Sequence, residues 1–162
     1  MEIEMKVVGV MENLATHEPA VMLVSRKKHE PFSAHDVLPV SIGVFEACAI
    51  QLGIEKTKLP RPQTHDLLKN TIESLGASLK KAVITNLVDN TDHAVLYLES
   101  GGKTVTTDCR PSDAIALALR TNSPIFVEST VLEKNLQSLS EPSNEQVEKW
   151  FESLDADDLP KF

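Results

Sequence analysis

The segment DCRPSDAIALALR, residues 108–120, admits one kind of local structure: a chain that arrives extended, turns at a proline and leaves as an apolar helix. Pro111, its φ fixed by the ring, stiffens the corner. Ser112 has the short hydroxyl of an N-cap, able to accept from the free amides of that turn, and Asp113 matches the positive end of the helix dipole. Ala114, Ile115, Ala118 and Leu119 recur at helical spacing, which predicts one buried face. Charged groups are therefore expected at the rim of a packed helix. Such a corner suits a binding site and an ion-paired structural joint equally well.

A strand-to-helix corner needs a sheet to pack on. IEMKVVGVM, AVMLVS and DVLPVSI predict three strands, followed by a helix in GVFEACAIQLG with Val44, Phe45, Cys48, Ala49 and Leu52 as its apolar stripe and Gly53 as a left-handed terminator. A second helix is expected from Thr64, whose hydroxyl would cap it, to the residue before Gly76. SLKKAVITNLVD, HAVLYLES and GKTVTTDC read as three further strands, with turn residues at 90–92 and 100–102. After the Pro111 helix come a short strand, PIFVE, and a helix around 131–136. The order βββα, an extra helix, then βββα predicts an α+β fold in a single domain, with mixed or antiparallel sheets. Setting EACAIQLG over DAIALALR brings Glu46 onto Asp113, so an internal βββα duplication is one reading of the pattern.

The length of 162 residues supports one domain, placed at 1–137, and leaves 138–162 as a polar linker and an acidic amphipathic tail with Val147, Trp150, Phe151 and Leu154 on one side. The formal net charge of -8 argues against a polyanion partner only until its distribution is considered. Nine of the 24 acids lie from Glu128 onward against three bases, so the body is close to neutral and a local basic face is permitted. No apolar run approaches the roughly 20 residues of a membrane span. The opening MEIEMKVVGV is acidic rather than basic, so a cytoplasmic protein without leader or membrane contact is expected. Cys48 and Cys109 lack metal-ligand spacing and read as buried thiols. Walker A, GxGxxG, HExxH and nucleophile-elbow patterns are absent, which sets those classes of enzyme aside.

Three groups of polar residues remain. Asp108, Arg110, Ser112 and Asp113 could bind a hard divalent cation through carboxylates and a phosphate through the guanidinium fork, or pair Asp108 with Arg110 across the corner. In RPQTHDLLKN, a helix start with Arg61, Thr64, His65 and Asp66 beside it suits an anion, with His65 as general acid or base. His65 and Asp66 are adjacent on the helix and do not face one another. Glu46 is a lone acid on an apolar helix and needs a partner, a guanidinium or a metal, because an unpaired buried carboxylate is costly.

LPVSIGVFEACAIQLG, LPRPQTHDLLKNTIESLGA and DCRPSDAIALALRTNSPIFVE, in this order, resemble the bifunctional nuclease domain family. The resemblance runs from Met1 to about Leu136 and implies a single α+β domain, DNase and RNase activity as proposed for some plant members, and self-association. The family's recurrent polar positions fall on Gly43 and Glu46, on Arg61, Pro62, Thr64, His65 and Asp66, and on Asp108, Arg110, Pro111, Ser112 and Asp113. Where many relatives carry an aromatic pair, this chain has Asp92 and His93.

The expected function is a metal-assisted nuclease acting on DNA or RNA, in a homodimer or other homo-oligomer. Glu46, Asp66, Asp108 and Asp113 would hold Mg²⁺ or Mn²⁺, while Arg61, Thr64, Arg110 and Ser112 would bind the phosphate. His65, Asp108 and Asp113 would serve as the catalytic groups. The alternative is a non-catalytic protein that uses the same charged cleft to bind an anion or a regulatory ligand.

Overall fold

The computed structural model describes residues 1–12, 17–27, 36–88 and 91–139. Its first three strands, β1 (Glu2–Glu12), β2 (Pro19–Ser25) and β3 (Val37–Ser41), form an antiparallel meander. The helices α1 (Val44–Ile54) and α2 (Thr64–Ser74) lead to a second meander, β4 (Ala77–Val88), β5 (Thr91–Ser100) and β6 (Lys103–Cys109). The chain then forms α3 (Pro111–Thr121), β7 (Ile125–Glu128) and α4 (Ser129–Leu139). β7 inserts between the meanders, antiparallel to β1 and parallel to β4, and closes them into one seven-stranded mixed sheet of order β3-β2-β1-β7-β4-β5-β6. A parallel pair needs a crossover, and α3 is the helix within it.

The single α+β domain expected from the pattern is the one observed, with one sheet in place of separate ones. Each half is a meander followed by a helix, and the likeness between the halves is one of arrangement. The tight turn between β5 and β6 follows its glycines: Gly101 and Gly102 have φ of 58° and 74°, the consecutive positive values of a type I′ hairpin. The connection between β4 and β5, residues 89 and 90, lies outside the described residues, as do His29, His35 and the acidic tail from residue 140 onward.

One face of the sheet carries alternate residues Val21, Leu23, Leu38, Val40, Ala82, Ile84, Ala94 and Leu96, all buried. α3 packs over them. It is buried almost all round, from Ala114 through Ala118, rather than on the single stripe its spacing suggests, because α1 and α2 cover its outer side. Ile115 and Leu117 are fully enclosed, each worth about 1.5–3 kcal/mol of apolar burial. Ala114, Ala116 and Ala118, which alternate with them, keep α3 slim enough to lie beneath two helices.

α1 overturns its expectation more sharply. Its buried residues are Ile50 and Gly53, whereas Val44, Phe45 and Cys48 are exposed, Phe45 to 88%. A helix with apolar residues on every side has no periodicity to say which side faces inward. Gly53 does not end the helix. A side chain there would meet Leu119 and Arg120 at 3.1 Å, so the glycine lets α1 lie close on α3, and the left-handed residue beyond the helix is Lys56. Gly76, at φ 75°, does terminate α2 as expected. α4 continues past residue 136 to Leu139, into the expected linker. Among the described residues no helix is long and apolar enough to cross a membrane.

The thiols also differ from expectation. Cys48 is exposed, and Cys109 is partly buried with its Sγ donating to the Ala94 carbonyl at 3.6 Å. Burial, reinforced by the charges of Asp113 and Asp108, pushes the Cys109 thiol up to about 11, so it is a poor nucleophile.

Candidate functional site

Three helices begin alike. α1, α2 and α3 are entered through extended caps at Gly43, Gln63 and Arg110, which puts Glu46, Asp66 and Asp113 at the third helical position of each. An acid there faces the unpaired amides of the first turn and complements the helix dipole. Thr64 and Ser112, expected as caps, lie inside their helices instead: Thr64 is exposed, while Ser112 is only 7% accessible. Pro111 takes the first helical position and moves the cap back to Arg110. In α2 the Gln63 amide donates to Asp66 Oδ2 at 2.9 Å.

From its capping position Arg110 reaches both neighbouring acids. Its Nε and Nη2 donate to Asp113 Oδ2 and Oδ1 at 2.7 and 3.1 Å, a bidentate fork, and Nη1 donates to Glu46 Oε1 at 2.8 Å. His65 Nε2 stands 3.0 Å from Asp113 Oδ1. Glu46, His65, Arg110 and Asp113 thus form one cluster drawn from the starts of three helices. Gly43 makes room for it, since a β-carbon there would collide with Glu46 Oε2. The hydrogen bond to its own backbone amide, then that from Arg110, holds the Glu46 carboxyl below its ordinary range. Burial would raise Asp113, but hydrogen bonds from Arg110 and His65 outweigh it and keep this carboxyl low as well. The two acids in turn raise the Arg110 value, Asp113 more than Glu46. Arg110 nonetheless remains 61% exposed and available to an anion from solvent.

The other predicted residues lie elsewhere. Asp66 turns to Arg120, whose Nε donates to its Oδ1 at 2.7 Å; burial raises this carboxyl, but the Gln63 amide and Arg120 bring it below the ordinary value. Asp108 is 77% exposed on the edge strand β6, 3.5 Å from His93, and joins neither Arg110 nor the cluster. Arg61 is exposed in the loop before α2. Sequence reasoning misses Arg120. Its side chain is 8% exposed, and Nη1 donates to the carbonyls of Ala49 at 3.0 Å and Ala116 at 2.9 Å, tying α1 to α3. The available signal is its spacing: seven residues beyond Asp113, it lies on the same side of α3.

The carboxylates expected as metal ligands do not converge. Among the described residues no three of His, Cys, Asp and Glu stand together as a metal site. Of Glu46, Asp66, Asp108 and Asp113, only Glu46 and Asp113 share a centre, and the Arg110 guanidinium fills it. This arrangement does not fit a dedicated Mg²⁺ or Mn²⁺ cage, which needs several oxygens around one point. What the cluster can do is hold an exposed guanidinium rigidly beside an imidazole that a carboxylate orients.

The bifunctional nuclease domain is matched over residues 29–140, which include the whole cluster. An uncharacterized protein of Mycobacterium tuberculosis is 33% identical across 94% of this chain and 93% of its own length. Bifunctional nuclease 1 of Oryza sativa subsp. japonica is 26% identical over 66% of this chain, and bifunctional nuclease 2 of Arabidopsis thaliana is 28% identical over 56%. These matches cover 33% and 29% of the two plant proteins, so the likeness to them is to one part of a longer chain.

Proposed function

This chain belongs to the bifunctional nuclease domain family, and on that premise we propose that it hydrolyses phosphodiester bonds of DNA or RNA at the cluster of Arg110, His65, Glu46 and Asp113. The observation that supports this reading is the pairing of an exposed, doubly anchored guanidinium with a carboxylate-oriented imidazole at one point. Arg110 would neutralise a non-bridging phosphate oxygen as charge builds up on it. Glu46 and Asp113 hold its fork in place, which reduces the reorganisation required. His65, positioned by Asp113, would take the proton from the attacking water as its oxygen bonds to phosphorus, and return a proton as the ester bond breaks. Arg61, in the loop leading to the same helix start, would supply a second cation to the strand. Asp108 has no part in this scheme. A requirement for Mg²⁺ or Mn²⁺ is read directly by assay.

The test uses purified protein and end-labelled single- and double-stranded DNA and RNA, with Mg²⁺, Mn²⁺ or chelator. His65→Ala and Arg110→Ala are each expected to slow cleavage by about 100-fold or more, and Asp108→Ala to leave it unchanged. Cleavage that survives His65→Ala, or that depends on Asp108, overturns this site.

The second reading, binding without catalysis, has its own support: each acid at the third helical position already has a guanidinium partner, as a structural joint requires. It predicts nucleic-acid binding without turnover in the same assay. Self-association is favoured by the exposed Val44 and Phe45 of α1 and Leu67 and Leu75 of the α2 region, apolar surface that a second copy could cover.

A further inference from the structure

A cavity of about 260 Å³ opens at the far end of the α1–α3 pair, where the two helices finish beside the middle of α2. Its lining is basic in a chain that is acidic overall: Lys56 and Lys58 follow α1, Lys69 comes from α2 and Arg120 from α3, against the single acid Asp66. Both oxygens of Asp66 are engaged, Oδ1 by Arg120 Nε and Oδ2 by the Gln63 amide. Among the described residues Lys69 pairs weakly with Glu73, at 3.9 Å. The nearly enclosed Arg120 commits Nε and Nη1 to the protein and, among the described residues, makes no hydrogen bond through Nη2. Arg120 lines this lysine-bearing cavity with one guanidinium nitrogen not committed to the described residues, which favours an anion, and planar guanidinium suits phosphate oxygens.

The position of this cavity follows from helix geometry. Arg120 and Asp113 are seven residues apart on one side of α3, about 10 Å at 1.5 Å per residue. α2 borders both places, with His65 at the cluster and Lys69 one turn farther along at the cavity. We propose that the cavity is a second phosphate subsite, which takes one backbone phosphate of a single strand while another lies at Arg110. This rests on the nucleic-acid reading above but requires none of its catalytic assignments.

Fluorescence anisotropy of a labelled single-stranded oligonucleotide tests it, read in a His65→Ala background so that binding is measured without turnover. The variant Lys56→Gln/Lys58→Gln/Lys69→Gln is compared with a control of equal charge change elsewhere, Lys27→Gln/Lys80→Gln/Lys103→Gln. The cavity variant is expected to bind roughly tenfold more weakly at low salt. Its plot of log affinity against log salt should flatten by about 0.7 for each phosphate that the protein no longer neutralises, while the control matches its parent. Equal weakening in both variants, or none in either, overturns the subsite. Cleavage is scored separately with His65 intact. Lysine-dependent binding without cleavage keeps the subsite and removes the nuclease reading; cleavage with binding indifferent to the three lysines does the reverse.

Discussion

Arg110 holds the cluster together, because its guanidinium donates to Asp113 through two nitrogens and to Glu46 through the third. Charge beside helix starts singles out Arg110 with Asp113, His65 and Glu46 as three groups in the sequence, and the structure brings all four residues together. The rule that residues two apart share a strand face would group Asp108 with them, but it lapses at the corner, because Arg110 has already left the strand to cap α3. Its guanidinium therefore turns to Asp113 and Glu46, and Asp108 stays outside. Removing the guanidinium in Arg110→Ala leaves two carboxylates near one another without their cation. The carboxyl values of Glu46 and Asp113 are both expected to rise in NMR titration, with a stability loss of about 1 kcal/mol. Arg110→Lys restores the charge without the fork and is expected to recover only part of either effect. Unchanged titration of both acids in Arg110→Ala would show that the guanidinium does not govern the cluster.

At the level of elements, α3 organises the site and Arg120 fastens it. The strands and helices are legible in the sequence because their patterns of two and 3.6 are local, but which side of α1 faces inward is not. Its apolar residues surround the axis, and the choice falls to Gly53, where the absence of a side chain permits close approach to Leu119 and Arg120. Arg120 then reaches a carbonyl of α1, a carbonyl of its own helix and the carboxylate of α2, so one buried cation links three helices. Arg120→Ala removes these bonds and leaves Asp66 without its cation, at an expected cost of about 3 kcal/mol in urea unfolding. Arg120→Met keeps much of the packing and is expected to lose less. A loss under about 0.5 kcal/mol in Arg120→Ala would mean that the α1–α2–α3 layer holds together without it.

At the scale of the whole molecule, the sheet order lies beyond the sequence. Nothing local in PIFVE reveals that four residues will separate two meanders and pair in opposite senses with β1 and β4. That insertion sets the crossover through α3 and so brings distant helix starts to one place. A consequence is that the helical layer depends on ionised carboxylates at Glu46, Asp66 and Asp113, all held below the ordinary range. A carboxyl with a depressed folded value binds fewer protons folded than unfolded. The stability it provides is therefore complete above the ordinary carboxylate value near 4, and is lost as pH falls through the lower folded values. Urea midpoints are thus expected to decline steeply below about pH 4. Glu46→Gln/Asp113→Asn, which cannot take up those protons, should be less stable at neutral pH yet show a shallower decline on acidification. Parallel pH profiles for the two proteins would place the acid sensitivity elsewhere in the molecule.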